Sequence, residues 1–173
     1  MKRYFRLIFA VIIFSVLPAS IFSIGGISNK ENWKDCPKVK NSEIVSAVLG
    51  EKNSIKPRPE CVSNGVIRIK TESGFTAELA PNSKRWFKAF DIYDADADSA
   101  LSTFRILEII LIEKIGTPVS FNKQGTNISA RTSLLLMKRG RIEYRTIWQY
   151  NNKKIVLLLS GKDLSLIISL YEE

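Results

Sequence analysis

The chain of 173 residues contains no histidine. That excludes Ser–His–Asp and Cys–His nucleophilic machinery, and zinc, copper or iron sites built on imidazole. Cysteine is scarce too: Cys36 and Cys61 are the only two. With both oxidised, thiol nucleophiles and thiolate ligands are excluded as well. There is no internal repeat and no long linker. Any catalysis would have to rest on carboxylates, Lys, Tyr or Ser, or on a bound cofactor.

The first residues carry Lys2, Arg3 and Arg6 and no acid. An apolar run from Leu7 to Val16 follows, interrupted only by Ser15, and Leu17-Pro18 ends it. Small residues come next: Ala19, Ser20, Ser23, Gly25 and Gly26. This is the order of a secretory signal peptide, predicted over 1–25 with cleavage after Ser23 or Gly25. The run is shorter than the roughly 20 apolar residues of a membrane span. An uncleaved N-terminal anchor is the alternative reading. Residues 26–173 are then a single domain, long enough for a core of its own.

Cations outnumber acids, 26 to 17. Residues 1–25 hold three of the cations and none of the acids, so the remainder keeps a net charge of +6. Such a charge suits anionic partners and also solubility. An even pair of cysteines in an exported chain predicts one disulfide, Cys36–Cys61. It would close a loop of 25 residues, for about 3.5 kcal/mol in the chain-entropy account. The enclosed segment, with Lys52, Asn53, Lys56, Pro57 and Pro59, buries little apolar surface by itself. Trp33 is expected to cover the bridge.

Asn41 or Ser42 is expected to cap a short helix with Ile44, Val45 and Val48 on one face and Gly50 at its end. From Val66 the period becomes two. Ile67 and Ile69, then Phe75, Ala77 and Leu79, then Trp86 to Tyr93 predict a three-stranded meander. Ser99 to Ile115 has helical spacing, with Ala100, Leu101, Phe104, Leu107, Leu111 and Ile115 in one stripe. Ile106, Ile109, Ile110 and Ile112 broaden it, so most of the helix is expected to be buried. Residues 132–139 are ambiguous between strand and helix, and the absence of β-branching from Leu134 to Met137 favours helix. A second β region follows, with turns at Asn151-Asn152 and at 160–163. The fold class is α+β: an antiparallel sheet of two meanders, one long buried helix packed on it, a short N-terminal helix and one disulfide.

Four groups of residues invite a chemical reading. Asp94, Asp96 and Asp98 alternate as oxygen ligands for calcium would. They lack the Gly and Glu of an EF-hand, and acids at a helix start also complement its dipole. No other cofactor is expected. Ser120 and Lys123 match Ser-x-x-Lys, without the partner motifs of the enzymes that use it. Glu78 and Asp91 are carboxylates of the kind a small hydrolase needs. Lys84, Arg85, Trp86 and Lys88 interleave cations with an aromatic ring, a surface suited to phosphate, sugar or lipid headgroups. Trp86 inside, with Lys snorkelling outside, is the competing structural account.

These features point to a small exported bacterial envelope protein, periplasmic or secreted, that acts by binding rather than catalysis. The expected partner is another, acidic protein, bound as an inhibitor or immunity protein binds. The alternative is a module for anionic glycolipid or glycan, and a carboxylate-dependent hydrolase stands third. Nucleic acid is not expected as a partner. The membrane is met only through the signal peptide before cleavage.

Overall fold

The computed structural model describes residues 35–51, 55–82, 85–90, 92, 97–123, 130–162 and 165–172. Residues 1–25, where a signal peptide is expected, and Trp33 lie outside these residues. Over the described residues the chain is a mixed α+β fold with a nine-stranded sheet, three helices and one disulfide. The strands are β1 Lys38–Val39, β2 Val62–Ser63, β3 Val66–Thr71, β4 Thr76–Ala80, β5 Trp86–Ala89, β6 Ser120–Lys123, β7 Glu143–Tyr150, β8 Lys153–Ser160 and β9 Ser165–Glu172. The helices are α1 Asn41–Leu49, α2 Ala97–Ile115 and α3 Ala130–Lys138. The sheet order is β1-β3-β4-β5-β9-β8-β7-β6, and β2 also pairs with β3. Among the described residues, only β1 runs parallel to its neighbour.

The alternation of apolar and polar residues sets which way the sheet faces. Ile67, Ile69, Ala77, Leu79, Phe87, Ala89, Leu166, Ile168, Ile155, Leu157 and Leu159 form its buried face. Buried side chains of α1 (Ile44, Val45, Val48) and of α2 (Phe104, Leu107, Leu111) belong to the same core. Phe104 meets Tyr144 edge-on, ring centroids 5.9 Å apart.

The expectation that most of α2 is buried is corrected. Ile106, Ile109 and Ile112 are exposed. A helix resting on one face of one sheet has a single covered stripe, and three isoleucines fall outside it. The helix α1 also starts differently from expectation. Its cap position is Lys40, and neither Asn41 nor Ser42 caps it by side chain. Carboxylates do that work: the Lys40 N–H donates to Glu43 Oε2 and the Asn41 N–H to Glu72 Oε2, each at 3.0 Å. The third strand of the first β region ends at Ala89, short of Tyr93.

Cys36 and Cys61 are joined, with Cα atoms 5.7 Å apart. The bridge links the residues just before β1 to the turn just before β2. Both of these two-residue strands lie along the outer edge of β3, so the disulfide fastens that edge of the sheet.

At the other end of the sheet, α3 meets the β8–β9 turn through a close backbone approach. A Cβ on Gly161 would overlap the Met137 carbonyl and stand 2.9 Å from Ile142 O. Backbone atoms have no rotamer with which to yield. Gly161→Ala is therefore expected to cost about 2 kcal/mol. That corresponds to a fall of about 6 °C in Tm for a domain of this size. A Tm within about 1 °C of wild type would show that α3 is not held there.

Candidate functional site

The face of the sheet opposite α1 and α2 carries the candidate binding surface. Cross-strand pairing fixes its composition, because directly opposed residues share a face. One row runs Arg68, Glu78, Lys88, Ile167, Leu158, Arg145 from β3 to β7. The next runs Trp86, Ser169, Val156, Ile147. Trp86, Lys88, Ile147, Leu158 and Ile167 are half-buried, and Arg145 is exposed. The Lys88 ammonium stands 5.4 Å from the centre of the Phe90 ring. Lys88 and Arg145 are three strand spacings apart, about 14 Å. The surface is thus an apolar centre with cations at both margins, with the carboxylate of Glu78 between Arg68 and Lys88 and that of Glu143 two residues from Arg145 on β7.

The residues Lys84, Arg85, Trp86 and Lys88 do not converge as a group. Trp86 and Lys88 share the surface just described. Arg85 has the parity of the buried face and is placed otherwise. Its Nη1 donates to Leu49 O at 3.2 Å. Its guanidinium occupies the space that a Cβ on Gly50 would fill. Gly50 closes α1 in the left-handed conformation, φ 79°. A cation there complements the negative end of the helix dipole. The glycine thus serves two ends, a backbone turn and room for Arg85. Lys84 lies outside the described residues.

Asp94 and Asp96, from the aspartate series, also lie outside them. Asp98 belongs to the first turn of α2, and its side chain is not among those described. Among the described residues, no cluster of three or more Cys, Asp or Glu is arranged to hold a metal ion. Glu78 sits on the open surface between two cations, and its suggested partner Asp91 is outside the described residues.

The Ser-x-x-Lys pair is separated by strand geometry. Ser120 and Lys123 lie three apart on β6 and so project to opposite faces. Lys123 is engaged elsewhere: its Nζ donates to Glu108 Oε2 at 2.8 Å. The other oxygen of Glu108 accepts from the buried Thr146 hydroxyl at 2.7 Å. This buried carboxylate ties α2 to β6 and β7. Near the end of the same helix, Lys114 donates to Glu51 Oε2 at 2.6 Å. The Lys114 bond, with a second from Ser46, holds the Glu51 carboxyl below the usual carboxylate range, against the upward pull of burial.

Sequence reading found Trp86 and Lys88 but not their neighbours Arg68, Ile167, Leu158 and Arg145. These come from four different strands, and only the register places them together. The even spacing of Arg68 and Arg145 within their own strands was the one signal available in advance.

Compared with protein-family models, with curated proteins and with solved structures, the chain matches none.

Proposed function

We propose that this is an exported bacterial envelope protein, periplasmic or secreted, that works by binding another protein, in the manner of an inhibitor or immunity protein. The observation that carries the reading is the open sheet face. Trp86, Ile147, Leu158 and Ile167 offer apolar contact, with Lys88 and Arg145 at the margins. An apolar centre rimmed by charge is the anatomy of a protein interface. A net charge of +6 over residues 26–173 favours an acidic partner and speeds its arrival. The Cys36–Cys61 bridge suits an oxidising compartment. Among the described residues, no helix is long and apolar enough to cross a membrane.

A second reading draws on the cation–ring pair. Lys88 over Phe90, with Trp86 in the next row, suits the phosphate and sugar of an anionic glycolipid or glycan.

The test is capture on the immobilised, oxidised protein of envelope and secreted fractions at low and moderate salt. The expected result is one stoichiometric protein that elutes as salt rises. Lys88→Glu with Arg145→Glu should weaken its affinity about tenfold or more. Recovery of glycolipid in place of protein favours the second reading. A protein held without salt dependence, and indifferent to both substitutions, sinks the electrostatic part of the proposal.

A further inference from the structure

The two margins of the sheet are finished in different ways. At one, β1 and β2 are two residues long and are stapled by the disulfide along β3. Short, fastened strands are a common defence of a sheet edge. At the other margin lies β6, four residues long and last in the sheet order. Among the described residues nothing pairs with its outer side, so alternate N–H and C=O groups face outward.

Edge strands are usually guarded by a lysine or another charge. The cation of β6, Lys123, is turned inward and neutralised by the buried Glu108. The side chain that does stand out is Phe121, 70% exposed, with Val119 at 66% just before the strand.

The contact between Glu108 and Lys123 sets the alignment of α2 beside this edge. One helical turn from Glu108, about 6 Å along the axis, comes Ile112. Two residues from Lys123 along β6, about 7 Å in the same sense, comes Phe121. Ile112 is 42% exposed and Ile109, next around the helix, 54%. Phe121, Ile112 and Ile109 therefore line an apolar step above a strand edge that no described strand pairs with.

Charge completes the picture. In the other direction from Glu108, Arg105 is exposed. Beyond Lys123 the chain returns to β7 through Lys138, Arg139 and Arg141, all exposed. The Lys123 end of the edge therefore lies toward these cations, of which Lys138 and Arg139 sit by the β8–β9 turn, and the Phe121 end is apolar. A second copy of this basic chain would bring like charge to the contact. An acidic segment is drawn to it.

Building on the protein-binding reading above, we propose that the outer edge of β6 receives an extended segment of an acidic partner as an added antiparallel strand. Alternate apolar side chains of that segment pack on Phe121, Ile112 and Ile109. Its N-terminal acids face Arg105, Lys138, Arg139 and Arg141. Main-chain hydrogen bonds supply affinity, and the step and cations supply specificity.

The test needs no natural partner. A fluorescent peptide, acetyl-Asp-Glu-Val-Thr-Val-Thr-Val-Ser, is titrated with the oxidised protein recovered from exporting cells, and anisotropy is followed. Two control peptides are run beside it, one with proline at its central valine and one with lysines in place of the leading acids. Saturable binding of the first peptide is expected, with both controls at least about tenfold weaker. Phe121→Ala, at an exposed position that leaves Tm unchanged, should weaken binding about tenfold. Arg139→Glu with Arg141→Glu should weaken it similarly and flatten its salt dependence.

No binding of the acidic peptide overturns the proposal, as does equal binding of the proline peptide. So does wild-type affinity in Phe121→Ala. Concentration-dependent dimerisation that Phe121→Ala abolishes assigns the edge to a second copy instead. A protein partner captured equally by wild type and Phe121→Ala leaves the protein-binding reading standing and removes only this edge.

Discussion

Trp148→Ala lowers the free energy of unfolding by about 4 kcal/mol, the middle of the range for removing a buried aromatic side chain. The expectation rests on two contacts of one residue. The indole is 1% exposed and belongs to the core between the sheet and the helices. Alanine leaves a cavity that the paired strands β7 and β8 cannot collapse around, because their register holds Trp148 against Ile155. The indole N–H also donates to Gly116 O at 3.0 Å, just past the end of α2. That bond, with the Val119 N–H donating to Ile147 O at 2.9 Å, fastens the connection from α2 into β6. Phe retains most of the ring but not the donor, so Trp148→Phe should cost about half as much. Urea unfolding followed by far-UV circular dichroism measures both, with m unchanged if only stability is altered. A loss below about 1 kcal/mol in the alanine variant would show that the indole is not a core residue.

Reduction of Cys36–Cys61 has the second large effect, about 3.5 kcal/mol. The closed loop spans 25 residues and contains α1 and the polar segment before Pro59. Freed, the loop regains entropy in the unfolded chain. In the folded chain, β1 and β2 lose their mutual anchor on β3. The effect should also be local. Amide exchange should quicken at Lys70, whose N–H donates to Pro37 O at 2.9 Å, before it quickens in β7 or β8. Urea melts with and without dithiothreitol, and of Cys36→Ala/Cys61→Ala, measure the global term. A reduced protein within about 1 kcal/mol of the oxidised one would mean that the edge holds by its hydrogen bonds alone.

The parts of the fold that were legible in advance are those with a local cause. Period-two alternation in Ile67–Ile69 and in Ala77–Leu79, and helical spacing from Ala100 to Leu111, need no partner to be recognised. Asn151 and Asn152, at φ 50° and 58°, form the tight β7–β8 turn that paired asparagines favour. What misled was the isoleucine-rich surface of α2. Composition shows that Ile106, Ile109 and Ile112 are apolar but not how many elements cover the helix. Arg85 misled in the same way. Beside Trp86 and Lys88 it resembles a ligand-binding cation, and strand parity alone does not show that a helix end awaits it on the other face.

Gly161 and Gly50 mark the boundary between the two kinds of information. The sequence by itself determined the class of fold, the pairing of two lone cysteines, the cationic balance and the exclusion of imidazole chemistry. Each follows from composition or from contacts a few residues long. Only the tertiary structure decided that Gly161 makes room for the Met137 carbonyl and that Gly50 makes room for Arg85. It alone gathered Lys88 and Arg145 from separate strands onto one face, and it alone left β6 at the margin with its lysine turned inward. Those outcomes depend on register and on which elements meet, and neither is encoded by a residue and its near neighbours.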